Sequence, residues 1–213
     1  MLTRLPTHSA GIALTFDACG SVKGKGIDTA LVAVLRKLSV PATLFLNARW
    51  IRANPQATAE LAGDPLFELA NHGTAHVPLS VTGHTAYGIT GTRSAAEVYD
   101  EVVGNQDGMT RFPGRAPRFF RPGTAHCDEV ASEIVTALGL RCAGFTVNAD
   151  EGATAAADTI AGRLAEAPTG AIVLAHMNHP EGSTALGYAR ALPLLLDRGT
   201  RFVRLSQASP ACT

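Results

Sequence analysis

Apolar runs of strand length alternate with amphipathic segments along the chain. The residues GIALTF (11–16) form a continuous apolar run, which predicts a strand buried on both faces. Between residues 27 and 38, apolar residues then recur at the spacing of one helix face. Six further strands are predicted downstream: PATLFLN (41–47), FELAN (67–71), RFFR (118–121), CAGFTV (142–147), AIVLA (171–175) and RFVRL (201–205).

Helices are predicted between these strands. Helical spacing of apolar residues recurs around residues 55–62, 128–138, 155–166 and 184–198. The sequence SAAE (94–97) has the form of a capping box and predicts the start of another helix. Strands that alternate with helices are typical of a parallel sheet, and closure into a barrel is the simplest arrangement for seven of them. We therefore predict an α/β fold: a single distorted (β/α) barrel with about seven parallel strands, in one domain over residues 1–213.

Charge and hydropathy limit the partners and the location. Apolar residues make up 46% of the 213 residues, and 18 basic groups balance 18 acidic ones. A formal net charge of zero gives no reason to expect nucleic acid or an anionic membrane as a partner. No apolar run is long enough to span a membrane, and the segment MLTRLPTHSAG (1–11) lacks the apolar core of a signal peptide. We expect a cytoplasmic protein, or a periplasmic or extracellular one if a leader has been removed.

The cysteines show no metal-finger or disulfide pattern. Cys19, Cys127, Cys142 and Cys212 form no CxxC motif and no dense framework. Isolated cysteines of this kind are usually small apolar residues of the interior. They are therefore predicted to be free, buried thiols.

Ionisable side chains follow the predicted strands at their carboxyl ends. Six of them come from five strands: Asp17, His72, His76, Arg121, Asp150 and His176. In a parallel α/β barrel the carboxyl ends of the strands form one rim, where the chemistry takes place. We therefore expect these side chains to converge on one cleft.

His72 and His76 are the most informative pair in this set. Their i, i+4 spacing predicts two imidazoles on one side of a helical turn, about 5–6 Å apart at Cβ, as a divalent metal ion needs. A Zn²⁺ ion with open positions lowers the pKa of bound water towards ~7 and polarises a carbonyl group. The pattern predicts metal-assisted hydrolysis of an acyl group, which needs one base and one acid. Asp17 and His176 are the candidates.

Taken in order, these segments resemble the motifs of the polysaccharide deacetylases (the NodB homology domain, carbohydrate esterase family 4). That family has TFDDGP where this chain has TFDACG (15–20), and an HxxxH followed by leucine, as in HGTAHVPL (72–79). Its RPPY-like segment is similar to RPGT (121–124), and its late LxH is matched by LAH (174–176). The resemblance implies a metal-dependent hydrolase that removes acetyl groups from N-acetylated amino sugars in a polymer such as peptidoglycan or chitin.

The resemblance implies catalytic roles for four residues. Asp17 matches the aspartate that acts as the base on water. His176 matches the general acid that protonates the leaving amine. Arg121 and Asp150 match a supporting pair that orients the base.

Metal and substrate positions are implied in the same way. His72 and His76 match the histidines that bind Zn²⁺ or a related divalent ion. Thr124 matches the residue whose backbone N–H contacts the oxyanion, and Leu174 matches a residue that lines the acetyl pocket. The long glycine-rich segment 81–92 is either a substrate-contacting loop, with Tyr87 as its aromatic face, or a surface excursion.

Two positions depart from the family pattern. The second aspartate of the first motif, a metal ligand in the family, is Ala18 here. The tryptophan of the fourth motif is missing from NADEGAT (148–154), and the only tryptophan is Trp50. The first departure concerns metal affinity, and the second concerns the surface on which a sugar would stack.

The replacement by Ala18 opens the question of the third metal ligand. A catalytic zinc ion normally has three protein ligands. Asp17 lies one residue away at the same strand end, whereas Cys19 lies past the end of the strand. We expect Asp17 to join His72 and His76, with water and then Cys19 as the alternatives.

Two other functions stay open at this stage. One is a related hydrolase that acts on another amide or ester with weak metal binding or none. The other is a noncatalytic carbohydrate-binding relative. A degenerate site would have lost its base, its acid or its histidines at random, whereas here only the second aspartate is replaced. This pattern favours an enzyme.

Overall fold

A computed structural model describes residues 1–6, 9–112 and 116–208 of the chain, and its centre is a parallel sheet. Cys212 lies outside the described residues. The strands are β1 (Ile12–Ala18), β2 (Ala42–Leu46), β3 (Phe67–Asn71), β4 (Thr85–Ala86), β5 (Ile89–Thr90), β6 (Phe119–Phe120), β7 (Arg141–Cys142), β8 (Val147–Asn148), β9 (Ile172–His176) and β10 (Phe202–Val203).

The parallel strands curl into a half-barrel. Along the sheet they follow the order β7-β6-β3-β2-β1-β9-β8, and β10 pairs with the start of β1. Every residue of β1 and β2 is buried, which explains why their sequences read as continuous apolar runs. The predicted fold class, a distorted (β/α) barrel with about seven parallel strands, is confirmed.

The predicted strand at 142–147 is divided in the structure, and that prediction is wrong. β7 and β8 lie at opposite ends of the sheet order, and residues 143–146 cross from one to the other. The first residues of the chain lie at this crossing, where Leu2 bridges Ala143 and Arg4 bridges Ala171. An apolar run records that a segment is buried, but it does not record that the segment changes its pairing partner midway.

Helices flank the sheet, and all six predicted ones are present. In the described part of the chain they are α1 (Thr29–Lys37), α2 (Ala48–Ala53), α3 (Pro55–Gly63), α4 (Ala95–Met109), α5 (Glu129–Ala137), α6 (Ala157–Ala165), α7 (Thr184–Asp197) and α8 (Leu205–Ala208). Ser94 caps α4 and accepts the backbone N–H of Glu97, as the capping box predicts. None of these helices combines the length and apolar character that crossing a membrane requires.

The two faces of the sheet pack into different apolar clusters. One face packs against α1, α6 and α7 and includes Phe16, whose ring centroid lies 5.1 Å from that of Tyr188. Ala18 belongs to the same cluster and is fully buried. The opposite face lines the interior of the half-barrel and includes Ala13 and Phe45. Asp17 lies on β1 between residues of the first cluster, so strand alternation directs it to the interior.

Cysteines of the described residues are free thiols, as predicted, but only one is fully buried. Cys142 is buried, whereas Cys19 and Cys127 are partly accessible. Cys127 and Cys142 lie next to each other, and this neighbour together with burial raises the pKa of the Cys127 thiol. They belong to the third apolar cluster, away from the ionisable residues of the rim.

Candidate active site

Asp17 and His176 lie side by side at the carboxyl ends of two neighbouring strands, β1 and β9. Asp17 on β1 is the register partner of His176 on β9. Asp17 is only 4% exposed, and the His176 side chain keeps 15% of its surface exposed. A carboxylate and an imidazole therefore lie next to each other at the same end of the sheet, and the imidazole is the more exposed of the two.

Arg121 reaches Asp17 from across the half-barrel. It follows β6 and is fully buried, and its Nη1 donates to Asp17 Oδ1 at 2.7 Å. Its Nε and Nη2 donate to the carbonyl oxygens of Ala143 and Gly144 at 3.3 and 2.8 Å. The guanidinium carbon lies 4.1 Å from the centroid of the Phe45 ring. These contacts fix the cation, and the cation fixes one oxygen of Asp17.

This environment keeps Asp17 ionised. Burial alone raises the pKa of a carboxyl group because it penalises the charged form. The positive charge of Arg121, followed by His72 and His176, outweighs that penalty and lowers the pKa of Asp17 below its usual value. Oδ1 is engaged by Arg121, whereas Oδ2 lies 3.5 Å from His72 Nε2.

Asp150 holds His176 in a comparable way. Its Oδ1 accepts from His176 Nδ1 at 2.9 Å, and its Oδ2 accepts from the His176 backbone N–H at 2.7 Å and from the Thr184 hydroxyl at 3.0 Å. Burial lowers the pKa of His176, but the hydrogen bonds to Asp150 and Cys19 raise it well above its usual value. The protonated form of His176 is therefore favoured, and because Nδ1 is bound to Asp150, the contact with Cys19 falls to Nε2.

Of the pair predicted to support Asp17, Arg121 contacts that carboxylate as expected, but Asp150 does not. Among the described residues, ion pairs join Arg121 to Asp17 and Asp150 to His176. The reason is the divided strand: Asp150 follows β8, which pairs with β9, so its neighbour is His176. Each supporting residue serves a different member of the central pair.

His72 and His76 come together through a loop and not through the predicted helical turn. The segment after β3 has left-handed backbone at Gly73 and His76, with φ of 75° and 60°. The two imidazole centroids lie 4.8 Å apart, edge to face. His72 Nδ1 donates to the carbonyl oxygen of Arg121 at 2.8 Å, which fixes the ring so that Nε2 faces Asp17 and Cys19.

Buried polar side chains hold this loop, and sequence reasoning missed them. The Asn47 amide donates to the carbonyl oxygens of His72 and Gly73 at 2.9 and 2.8 Å. Glu101 Oε1 accepts the His76 backbone N–H at 2.9 Å. A side chain at position 73 would meet this carboxylate, because a Cβ there would lie 2.3 Å from Glu101 Oε1. Asn47 follows β2 directly, so a search for any polar side chain after a strand, and not only for ionisable ones, would have found it. Glu101 lies on a helix face and gives no such signal.

Cys19 forms a compact group with the two histidines. The ligand atoms of Cys19, His72 and His76 all lie within 4.8 Å of one another. The Sγ atom is 3.7 Å from His72 Nε2. Burial raises the pKa of the Cys19 thiol, but hydrogen bonds to His176 and to the two other imidazoles lower it well below its usual value. A thiolate and two imidazoles are normal zinc ligands, so this donor set fits a divalent metal ion.

Of the three residues assigned to substrate contact, the structure brings only the turn that contains Thr124 against the histidine loop. Thr124 has φ of 66° in a 3₁₀ turn (Gly123–Ala125), and Gly123 packs so closely that a Cβ would lie 2.3 Å from the His76 carbonyl carbon. Leu174 on β9 is two residues before His176 and is 6% exposed. Tyr87 is 82% exposed at the turn of the β4–β5 hairpin, with its ring edge-on to His126 at 5.3 Å.

Comparison with known proteins gives the family. The family model for polysaccharide deacetylases matches residues 4–143, which is more than half of the chain. The chain belongs to the polysaccharide deacetylase family. This agrees with the predicted enzyme class, a hydrolase that acts on non-peptide carbon–nitrogen bonds.

Individual relatives of this deacetylase family are distant but align over most of the chain. The chain is 24% identical over 204 residues to a peptidoglycan-N-acetylglucosamine deacetylase of Bacillus cereus, covering 94% of this chain and 68% of that protein. A family 4 carbohydrate esterase of Bacillus subtilis has a TM-score of 0.79 at 20% identity, over 97% of this chain and 83% of that one. A family 4 pseudoenzyme of Bacillus anthracis has the same TM-score and identity, over 97% and 67%. These structural likenesses establish the fold.

Proposed function

We propose that this deacetylase-family chain hydrolyses the acetyl amide of N-acetylated amino sugars in a polysaccharide, peptidoglycan first among them, with a bound divalent metal ion. One observation carries the proposal. Asp17 and His176 are register neighbours, and each has a buried partner of the opposite charge type, Arg121 for Asp17 and Asp150 for His176. A carboxylate that can take a proton and an imidazolium that can give one are the two groups that amide hydrolysis needs.

The base step belongs to Asp17. Its Oδ2 takes a proton from the water molecule that attacks the acetyl carbonyl carbon, while Oδ1 stays on Arg121. Arg121 acts by holding the carboxylate ionised and in one orientation. A new C–O bond forms at the carbonyl carbon, and the proton of water passes to the aspartate.

The acid step belongs to His176. Its protonated Nε2 gives a proton to the amide nitrogen as the C–N bond breaks, so the products are acetate and a free amino sugar. Asp150 balances the positive charge of the imidazolium until that transfer. The two proton transfers match in number, because one proton enters at Asp17 and one leaves from His176.

The metal and substrate contacts complete the proposal. His72 and His76 would hold a divalent ion such as Zn²⁺, which polarises the acetyl carbonyl and acidifies bound water. Leu174 lines the acetyl pocket, and the backbone N–H of Thr124 donates to the developing oxyanion. Tyr87, exposed on its hairpin, offers the sugar an aromatic face in place of the missing tryptophan. A cell-wall substrate would place the protein outside the cytoplasmic membrane.

Acetate release tests this function. Purified protein is incubated with peptidoglycan, with N-acetylglucosamine oligomers and with acetylated xylan, with and without chelator and with Zn²⁺ added back. We expect release from an N-acetylated polymer, its loss on chelation, its return with Zn²⁺ and its absence in Asp17→Asn. Release that survives chelation would support the metal-independent hydrolase instead. Glycan binding without release from any substrate would support the noncatalytic relative.

A further inference from the structure

We propose that Cys19 is the third protein ligand of the metal site, which makes a thiolate–imidazole–imidazole set with His72 and His76 and leaves Asp17 free as the base. The inference rests on the metal-binding part of the proposed function. It replaces the expectation, drawn from the sequence, that Asp17 fills the third position.

The position of the missing family ligand cannot serve this chain. Ala18 has no ligand atom, is fully buried and belongs to the apolar cluster on the helix side of the sheet. β1 ends at Ala18, so Cys19 is the first residue beyond the strand. Its Sγ is the donor atom that joins the two imidazoles in one compact group. The loss of a ligand at one position is thus accompanied by a stronger zinc ligand at the next.

The distances fit coordination through sulfur. Tetrahedral zinc with Zn–S of about 2.3 Å and Zn–N of about 2.0–2.1 Å would set sulfur and nitrogen about 3.6 Å apart. Cys19 Sγ lies 3.7 Å from His72 Nε2. The His72 ring is already oriented for this purpose, because its Nδ1 donates to the Arg121 carbonyl oxygen and its Nε2 faces the thiol.

Asp17 is engaged elsewhere. Its Oδ1 is bound by a fully buried guanidinium at 2.7 Å. Its Oδ2 is 3.5 Å from His72 Nε2, but Asp17 is outside the compact group that Cys19 forms with both histidines. If Asp17 were a ligand, the metal ion and Arg121 would compete for one carboxylate, and the site would have no separate base.

A thiolate ligand has consequences that a carboxylate does not have. Soft sulfur ligands favour Zn²⁺ and related ions over Mg²⁺ or Mn²⁺, which prefer oxygen. A thiolate bound to Co²⁺ also gives a charge-transfer absorption in the near ultraviolet, whereas oxygen and nitrogen ligands alone do not. The ion also shields the thiol from alkylation. These are readouts independent of acetate release.

The experiment compares four proteins: wild type, Cys19→Ser, Asp17→Asn and Cys127→Ser, the last as a matched control that removes a thiol outside the site. Each is stripped of metal, loaded with Co²⁺ or Zn²⁺, and followed by absorption, by bound metal per chain and by competition with a chromophoric chelator. We expect the charge-transfer band and one tightly bound ion in all but Cys19→Ser. That variant should lose the band and bind metal more than about 100-fold more weakly, since even outer contacts of a metal site are worth 10–100-fold.

A second measurement does not depend on any variant folding correctly. Wild-type protein is alkylated with iodoacetamide with and without Zn²⁺, and the peptide that contains Cys19 is quantified by mass spectrometry. Zn²⁺ should protect Cys19 and leave Cys127 unchanged.

The outcomes separate this inference from the proposed function. Metal binding and acetate release without the band, or metal loss in Asp17→Asn but not in Cys19→Ser, would give the third position to Asp17 and leave the function intact. Alkylation of Cys19 to the same extent with and without bound Zn²⁺ would also contradict the inference. Wild-type protein that neither binds metal nor releases acetate would contradict the proposed function itself.

Discussion

The two halves of the candidate site use the same kind of ion pair for opposite purposes. In one half, the carboxylate of Asp17 lies near the end of β1 and is bound by the cation of Arg121. In the other half, the imidazole of His176 faces the cleft and the carboxylate of Asp150 lies behind it. Both supporting residues are fully buried. The comparison teaches that a buried partner of opposite charge sets the favoured protonation state of each central residue: Arg121 favours the ionised carboxylate of Asp17, and Asp150 favours the protonated imidazole of His176.

The two halves also differ in how the fold brings the supporting residue to its partner. Arg121 is 104 residues from Asp17 and reaches it across the interior of the half-barrel. Asp150 is 26 residues from His176 and follows a strand that pairs directly with β9. The base side therefore depends on the curvature of the whole sheet, whereas the acid side depends on local strand pairing.

The largest expected effect is on the base itself. Asp17→Asn should lower kcat by about 10²–10⁴-fold, because a positioned proton-transfer group contributes that much. The change preserves shape, so the circular dichroism spectrum should be retained. Asp158→Asn, which alters an aspartate that is 90% exposed, is the control and should keep wild-type turnover. Near-normal kcat in Asp17→Asn would remove Asp17 from the role of base.

Removal of the cation on the base side should cost stability and shift the acid limb of activity. Arg121→Ala leaves a buried carboxylate without its partner, which costs about 3–5 kcal/mol in the free energy of unfolding. The pKa of Asp17 should rise, so the acid limb of kcat/KM should move to higher pH. Urea unfolding and a pH–rate profile measure both effects. Arg201→Ala, an exposed arginine, should stay within about 0.5 kcal/mol of wild type. An unmoved acid limb would separate Arg121 from the base.

Removal of the anion on the acid side should move the opposite limb. Asp150→Asn takes away the charge that raises the pKa of His176, so the alkaline limb should move to lower pH while the acid limb stays. The pair stabilises the fold above the ordinary pKa of aspartate, 3.8, because the pKa of Asp150 is lowered. The stabilisation by the pair is complete below the ordinary pKa of histidine, 6.5, and is lost at higher pH, because the pKa of His176 is raised in the folded protein. The loss of unfolding free energy should therefore be largest between about pH 4 and 6.5. A shift of the acid limb instead would reverse the assignment of the two halves.

The smallest expected effect concerns Thr184, which contacts Asp150 behind His176. The Thr184 hydroxyl donates to Asp150 Oδ2 at 3.0 Å. Thr184→Val keeps the shape and removes this bond to a charged group, which is worth about 1.5–3 kcal/mol. Chemical denaturation should show that loss, and Thr184→Ser should recover most of it. If the serine variant is as unstable as the valine variant, the hydroxyl is not the reason for the effect.

The rim residues could be predicted because their signal is local. An apolar run that ends in an ionisable side chain marks the carboxyl end of a buried strand, and Asp17 and His176 both follow this pattern. The fold class follows from the alternation of strands and helices for the same reason. The pairing of strands could not be predicted in the same way. The run 142–147 reads as one strand but is divided between β7 and β8, and because of this division Asp150 contacts His176 and not Arg121.

The metal group shows a second limit. The spacing of His72 and His76 predicts that they meet, but the loop that brings them together depends on Asn47 and Glu101, which belong to other elements. Cys19 lies past the end of its strand, where strand alternation no longer fixes the direction of a side chain. Its place beside His72 is a property of the tertiary structure and has no marker in the sequence.

The crossing between β7 and β8 has a practical consequence for handling this protein. The Leu2 carbonyl oxygen accepts from the Gly144 N–H, and the Leu2 N–H donates to the Cys142 carbonyl oxygen. The first residues are therefore hydrogen-bonded to the segment that connects β7 to β8. Gly144 in turn supplies one of the carbonyl oxygens that hold Arg121. A residue fused next to Leu2 would therefore act at one end of a short series of hydrogen bonds that runs through Gly144 and Arg121 to Asp17, the candidate base. Fusion design for this chain is a matter of enzymology as well as of purification.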